Sequence, residues 1–268
     1  MGEDGRFKVL RVLGRTATTL GRASPAIAMW AMLLLVLPAL AIDHVMQAIS
    51  PRWAPEVREL LGWPLILAFQ VAVVWATSEA LSGNRPTTAG GACAASSQFV
   101  PAFWLSLYYF ACTFIGFLCF MPVLFLAEAL SSLGEVPSWW IYILAVVGMA
   151  PMAGFKAHLI PMIPARIVEN RSVEDTIYRG QDLGGRAFWR LYAFAWAYMA
   201  LWFGINRASA TIEGLHLAPM ATLLLTLTPQ WLATTLWAAL TTAIYYELRG
   251  LPERARAPAT PEAALAAS

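Results

Sequence analysis

Apolar residues come in long blocks along this chain, and polar residues are confined to the short intervals between them. A spanning helix needs about 20 mostly apolar residues, and the blocks at 25–42, 63–81, 99–126, 139–161, 188–205 and 220–246 meet that need. The pattern predicts an all-α integral membrane protein with six transmembrane helices. Several blocks contain proline: Pro38, Pro101, Pro122, Pro151, Pro161 and Pro229. Each removes a backbone donor and bends its helix, which membrane helices tolerate where neighbours satisfy the freed carbonyls. Packing kinks are the plain expectation, and a substrate path through broken helices is the sharper one. Small residues predict close packing around 148–154, without a clean G-x-x-x-G motif.

The polar intervals are patterned too. The stretch 164–192 is the only long charged interval within the apolar blocks, with Arg166, Arg171, Arg179, Arg186 and Arg190. In it Ser172 precedes Glu174 and Asp175, an N-cap with acids in the first helical turn. Val173, Ile177 and Leu183 are expected to face lipid from that helix. Asn84-Arg85 and Asn170-Arg171 each follow an even-numbered block, and Phe103-Trp104 and Phe188-Trp189 then open the next. In the earlier copy Thr87 or Thr88 would cap. Before the first block, 6–20 reads as an amphipathic surface helix with Phe7, Leu10, Leu13 and Leu20 set against Lys8, Arg11 and Arg15. The organisation predicted is three units, each an interfacial helix followed by a transmembrane hairpin.

Composition supports lipid as the solvent: 59% of the 268 residues are hydrophobic and 13% charged, with a mean hydropathy of +0.60. A soluble domain carries about a quarter charged residues. The net charge of +2 gives no case for nucleic-acid binding. Lys and Arg set the orientation, since the basic excess stays cytoplasmic. Arg6, Lys8, Arg11, Arg15 and Arg22 precede the first block, Arg85 follows the second, 164–192 follows the fourth, and Arg249, Arg254 and Arg256 follow the sixth. The other side holds Arg52, Arg58 and Arg207. Both termini are therefore expected in the cytoplasm, with a cytoplasmic amphipathic segment at 1–24, a membrane domain at 25–249 and a disordered Pro/Ala-rich tail at 250–268. A rival for the first block is a secretory signal cut after Ala39-Leu40-Ala41. Its long basic n-region argues against cleavage. Cys93, Cys112 and Cys119 have no C-x-x-C spacing and indicate neither a disulfide framework nor a metal site; Cys112 and Cys119 read as buried small hydrophobes.

Candidate chemistry is sparse. The even blocks end in an acid followed by an arginine: Glu79 with Arg85, Glu169 with Arg171, Glu247 with Arg249. A carboxylate near a helix C-terminus opposes the macrodipole and calls for a cationic partner, either as a plain interfacial ion pair or as part of a charged ring at a polar opening. Lys156 and His158 fall inside the fourth block. An intramembrane ionisable residue is a functional-site hypothesis, although Lys156 is near enough to the cytoplasmic end to snorkel along its own stem. His44 and His216 are expected in loops with no second ligand at i+3 or i+4, so no metal or other cofactor is implied. Gly184-Gly185 reads as a turn. Arg171, Arg186, Trp189 and Arg190, with Tyr192, form a basic aromatic group at the inner headgroup level, suited to an interface anchor or an anionic headgroup. No G-x-S-x-G, H-E-x-x-H, Walker loop or paired carboxylates appear, so no enzyme activity is expected.

The segment 164–171 with Ser172, then Arg186-Ala-Phe-Trp-Arg190, resembles the central signature of bacterial proteins related to the membrane domain attached to some glycerophosphodiester phosphodiesterases. Tyr245-Tyr246-Glu247-Leu248-Arg249 is similar to that family's ending, and 83–87 to its linker before the third span. The segment 178–182 departs from the family's more basic, serine-containing pattern. The family's catalysis belongs to a separate soluble barrel, so the resemblance implies a six-span bacterial inner-membrane protein connected with lipids or the cell envelope, and no phosphodiesterase. The leading functional expectation is a non-enzymatic scaffold or accessory subunit that engages membrane lipids, a membrane-protein partner or a second copy of itself through its interfacial helices. The alternative is a small transporter or channel with a path near the proline-broken helices and Lys156.

Overall fold

The structure is a computed structural model and describes residues 7–49, 54–132, 138–213 and 219–250. Arg6, Arg52, His216, Arg254, Arg256 and nearly all of the 250–268 tail lie outside the described residues, as does the side chain of Cys119. Among the described residues every regular element is helical: α1 (Val9–Ala31), a π turn (Met32–Val36), α2 (Leu37–Ile49), α3 (Ala54–Leu81), α4 (Thr88–Ser132), α5 (Ser138–Leu159), α6 (Met162–Glu169), α7 (Val173–Arg186), α8 (Phe188–Glu213) and α9 (Pro219–Arg249). Three described helical stretches are long and apolar enough to cross a membrane: Val9–Met46, Leu60–Leu81 and Thr88–Val123.

Helix α3 is the hub. It packs on α1 and α9, which also pack on each other, and on α4; α4 in turn packs on α5, α5 on α8 and α8 on α9. Helices α3, α4, α5, α8 and α9 thus close a ring, with α1 seated in the groove between α3 and α9. Small residues make this close approach possible. Ala23, Ala26 and Ile27 of α1 meet Ala72, Val73 and Ala76 of α3, with Ala238 of α9 alongside. In lipid, helix association depends on such van der Waals contact rather than on a hydrophobic drive. Where α1 gives way to α2, the π turn directly precedes Leu37 and Pro38, whose missing N–H and ring interrupt the helical ladder. Pro161 has a comparable effect, separating α5 from α6. Pro101, Pro122, Pro151 and Pro229 lie inside continuous helices.

The polar intervals fold partly as read. Ser172 caps α7, its Oγ accepting from Asp175 N–H at 3.1 Å, with Glu174 and Asp175 in the first turn. Thr87 does the same for α4, accepting from Gly90 N–H at 3.1 Å. Three expectations need correction. Leu183 is fully buried, and Val173 and Ile177 pack around Leu105, Leu159 and Met162, so this face of α7 looks into the protein rather than into lipid. Gly184-Gly185 is helical, not a turn. Gly180 and Gly184 form a G-x-x-x-G across α7, and a Cβ on Gly184 would stand 2.8 Å from His158 Cα. Within the 7–20 segment the buried positions are Phe7, Val12, Thr16 and Thr19, while Leu10 is 84% exposed and Leu13 is also exposed. The helix is rotated from the expected apolar face because Arg11 and Arg15 point inward, for the reason given next.

Candidate functional site

The charged residues gather at the bundle end where α3, α6 and α9 finish and α1, α4 and α7 begin. Glu247, in the last turn of α9, is buried, with 5% of its side chain exposed. Its Oε2 lies 3.0 Å from Arg15 Nη1 and its Oε1 3.8 Å from Arg11 Nη1. Oε1 also accepts the backbone N–H of Lys8 at 3.3 Å, at the N-cap of α1. The carboxylate therefore faces the positive end of α1's dipole and two guanidinium groups together. The cation for Glu247 comes from 232 residues away, not from Arg249, which is exposed. Beside it, Arg190 donates to the Phe7 carbonyl and stands 5.8 Å from the centre of the Phe7 ring. The first turn of α1 is thus pinned to α8 and α9 at once.

Glu169, closing α6, gathers a second set. Tyr245 donates its hydroxyl to Oε1 at 2.5 Å, Arg179 Nε lies 3.5 Å from the same oxygen, and Arg171 Nε meets Oε2. Burial pushes the Glu169 carboxyl up, but the Tyr245 hydroxyl and the Arg179 and Arg171 charges outweigh it and hold the group below its ordinary value. Glu79, closing α3, is met by Asn84 Nδ2 at 2.8 Å instead of Arg85, which is exposed. The three acids do not form one ring. Glu169 and Glu247 are linked through Tyr245 and its neighbours on α9, whereas Glu79 is satisfied within its own turn.

The basic aromatic group is largely committed to the protein. Arg171 pairs with Glu169, Arg186 with Asp182 at 2.6 Å, and Arg190 with Phe7. Only 6% of the Arg186 side chain is exposed. Trp189 is 78% exposed, and Arg171 and Arg190 also keep an exposed surface. His158 lies against Phe188, ring centres 4.9 Å apart. His44 sits on helix α2 and not in a loop, and no group of metal-ligating side chains occurs among the described residues.

Lys156 is half-buried. It lines a cavity of about 290 Å³ inside the five-helix ring, to which α3 contributes Gln70, α4 Ser106, Tyr109 and Thr113, α8 Tyr198 and α9 Trp237 and Thr241. Lys156 Nζ stands 5.6 Å from the centre of the Tyr198 ring, which stacks on Trp237 with centres 3.9 Å apart. Among the described residues Nζ has no ion-pair or hydrogen-bond partner. A second cavity of about 380 Å³ lies between α2, α3, α8 and α9, farther from the charged end, and carries Asn206, Thr226 and Gln230. Trp63 and Trp202 line both cavities.

From sequence, Lys156 stands out as an ionisable residue in a span, and Gln70 is the corresponding uncharged signal, a lone amide in the 63–81 block. Tyr198, Tyr245, Arg11 and Arg15 gave no comparable signal of their roles, because their partners lie on helices distant in the chain. No protein-family model matches the chain, and no curated protein or solved structure matches it either.

Proposed function

We propose that this protein is a non-enzymatic six-span protein of the bacterial inner membrane that binds and carries a small solute through the interior of its helix ring. The observation that carries the reading is the interior cavity around Lys156. An ammonium inside a membrane protein is costly and marks substrate paths, and the helices around this one run on through their prolines, so the reading rests on the cavity and not on broken helices. Two cavities with Trp63 and Trp202 between them fit alternating access better than an open pore. The charged end, rich in Arg, is taken as cytoplasmic under the positive-inside rule, and the cap and Phe-Trp pattern recurs in two of the three proposed interfacial-helix-plus-hairpin units. The scaffold reading retains exposed Trp189 and Tyr178 as membrane contacts, but its arginines are engaged within the chain.

Solute access is the property to test. In a variant with Cys93, Cys112 and Cys119 replaced, a single Ser106→Cys is placed in the cavity and Ser82→Cys on the exposed turn. A charged methanethiosulfonate reagent applied separately to each face of membrane vesicles should modify Ser106→Cys from at least one side. Labelling of Ser82→Cys with none at Ser106→Cys from either side would overturn the carrier reading.

A further inference from the structure

We propose that the cavity takes a monocarboxylate with an apolar or aromatic body, its carboxylate on Lys156 and its body against the ring aromatics. The inference rests on the carrier reading and names the solute class. Among the described residues no carboxylate meets Lys156, while the two buried acids of the charged end are already satisfied: Glu169 by Arg171 and Arg179, Glu247 by Arg11 and Arg15. The described residues supply the cation and no counter-anion at Lys156, so a bound anion would remove the cost of the unpaired charge. The other polar groups are short and uncharged. Thr113 Oγ1 is buried with no hydrogen-bond partner, and Ser106, Tyr109 and Gln70 add hydroxyl and amide donors. Several such donors around one ammonium match the lone pairs of a carboxylate.

Charge number and shape narrow the class. One cation fits a single negative charge; a dianion or phosphate monoester would bring uncompensated charge into the ring. Trp63, Phe110, Trp202 and Trp237 line the rest of the cavity, so the remainder of the ligand is expected to be apolar and to gain by contact with flat rings. Two sources share this chemistry: the aqueous phase, for an aryl or branched acid, and the bilayer itself, for a fatty acid.

Tryptophan fluorescence of the purified protein in nanodiscs reads the site, because three tryptophans line it. Phenylacetate and octanoate serve as probes for the two sources, with phenylacetamide and phenethylamine as neutral and cationic counterparts. At least one acid is expected to give a saturable change with about tenfold or greater preference over phenylacetamide, the size expected of one charge-assisted hydrogen bond. Phenylacetate binding more tightly than octanoate indicates the soluble source, and the reverse indicates the bilayer. Lys156→Met should reduce the acid-over-amide preference to near unity, and Lys156→Arg should retain it. Equal binding of acid and amide, preference for phenethylamine, an unchanged preference in Lys156→Met, or no saturable response to either acid would each overturn the proposal. Any of these with Ser106→Cys still labelled removes the solute class and leaves the path standing.

Discussion

At the scale of single residues, Glu247 does two jobs: it accepts the Lys8 N–H and it neutralises Arg15 and Arg11. Glu247→Gln keeps the shape but removes the charge beneath two guanidinium groups. Breaking a buried pair costs about 3–5 kcal/mol; with Arg15 37% exposed, roughly 1–3 kcal/mol is expected here, seen as a lower Tm in detergent micelles. Arg249→Gln, by contrast, should leave Tm nearly unchanged. Glu169 makes a pH-dependent contribution. Because its carboxyl is held below the ordinary value of about 4.5, the stabilisation is complete above that pH and is lost as pH falls through the lowered value. The Tm advantage of wild type over Glu169→Gln should therefore hold from neutral pH to about 4.5 and shrink below it. An advantage that disappeared on raising the pH instead would contradict this linkage.

Among the elements, α7 shows most clearly what the sequence does and does not reveal. Its start was legible, because a cap is a local event: Ser172, Glu174 and Asp175 lie within one turn and their chemistry is complete without the rest of the fold. Its facing was not. Val173, Ile177 and Leu183 form an apolar stripe that suits lipid and protein equally well, and only the neighbouring α5 and α6 decide between them. The same ambiguity misplaces Leu10 and Leu13 on α1, where the Glu247 contacts set the rotation. Glycine carries the missing information. Gly180 lets Met162 approach, since a Cβ there would meet its Cγ at 2.3 Å, and Gly184 lets the His158 backbone approach. Gly184→Val is predicted to push α7 off α5 and to cost about 1–3 kcal/mol as overpacking. Gly185→Ala, whose Cβ meets nothing within 4 Å, should be neutral or slightly stabilising because alanine is the better helix former. Thermal melts of the two variants side by side provide the check. The Phe-Trp pairs behave alike across elements: Phe103 and Phe188 are half-buried, and Trp104 and Trp189 are exposed.

For the whole molecule, the helical blocks were legible because long apolar runs leave little choice of solvent or secondary structure, and the described helices follow those runs. The ring was not legible, since hydrophobic blocks do not state their neighbours and the cavity exists only where five helices converge. Trp63 and Trp202 are the test of its continuity. Trp202→Ala should join the two cavities, so that under the carrier reading Ser106→Cys is labelled faster when reagent is applied from the face opposite the charged end. An unchanged labelling rate would mean that Trp202 does not separate the compartments.

The contact between Glu247 and Arg15 also bears on how the protein is made. The two residues are 232 positions apart, and at about 5–20 residues per second of synthesis roughly 10–50 s separate the emergence of α1 from that of its carboxylate. Throughout that interval Arg15 has yet to meet Glu247, and until α9 is made the groove that seats α1 lacks one wall. A nascent chain halted before the last turn of α9 would thus hold the start of its first helix through Arg190 but without the Glu247 clasp.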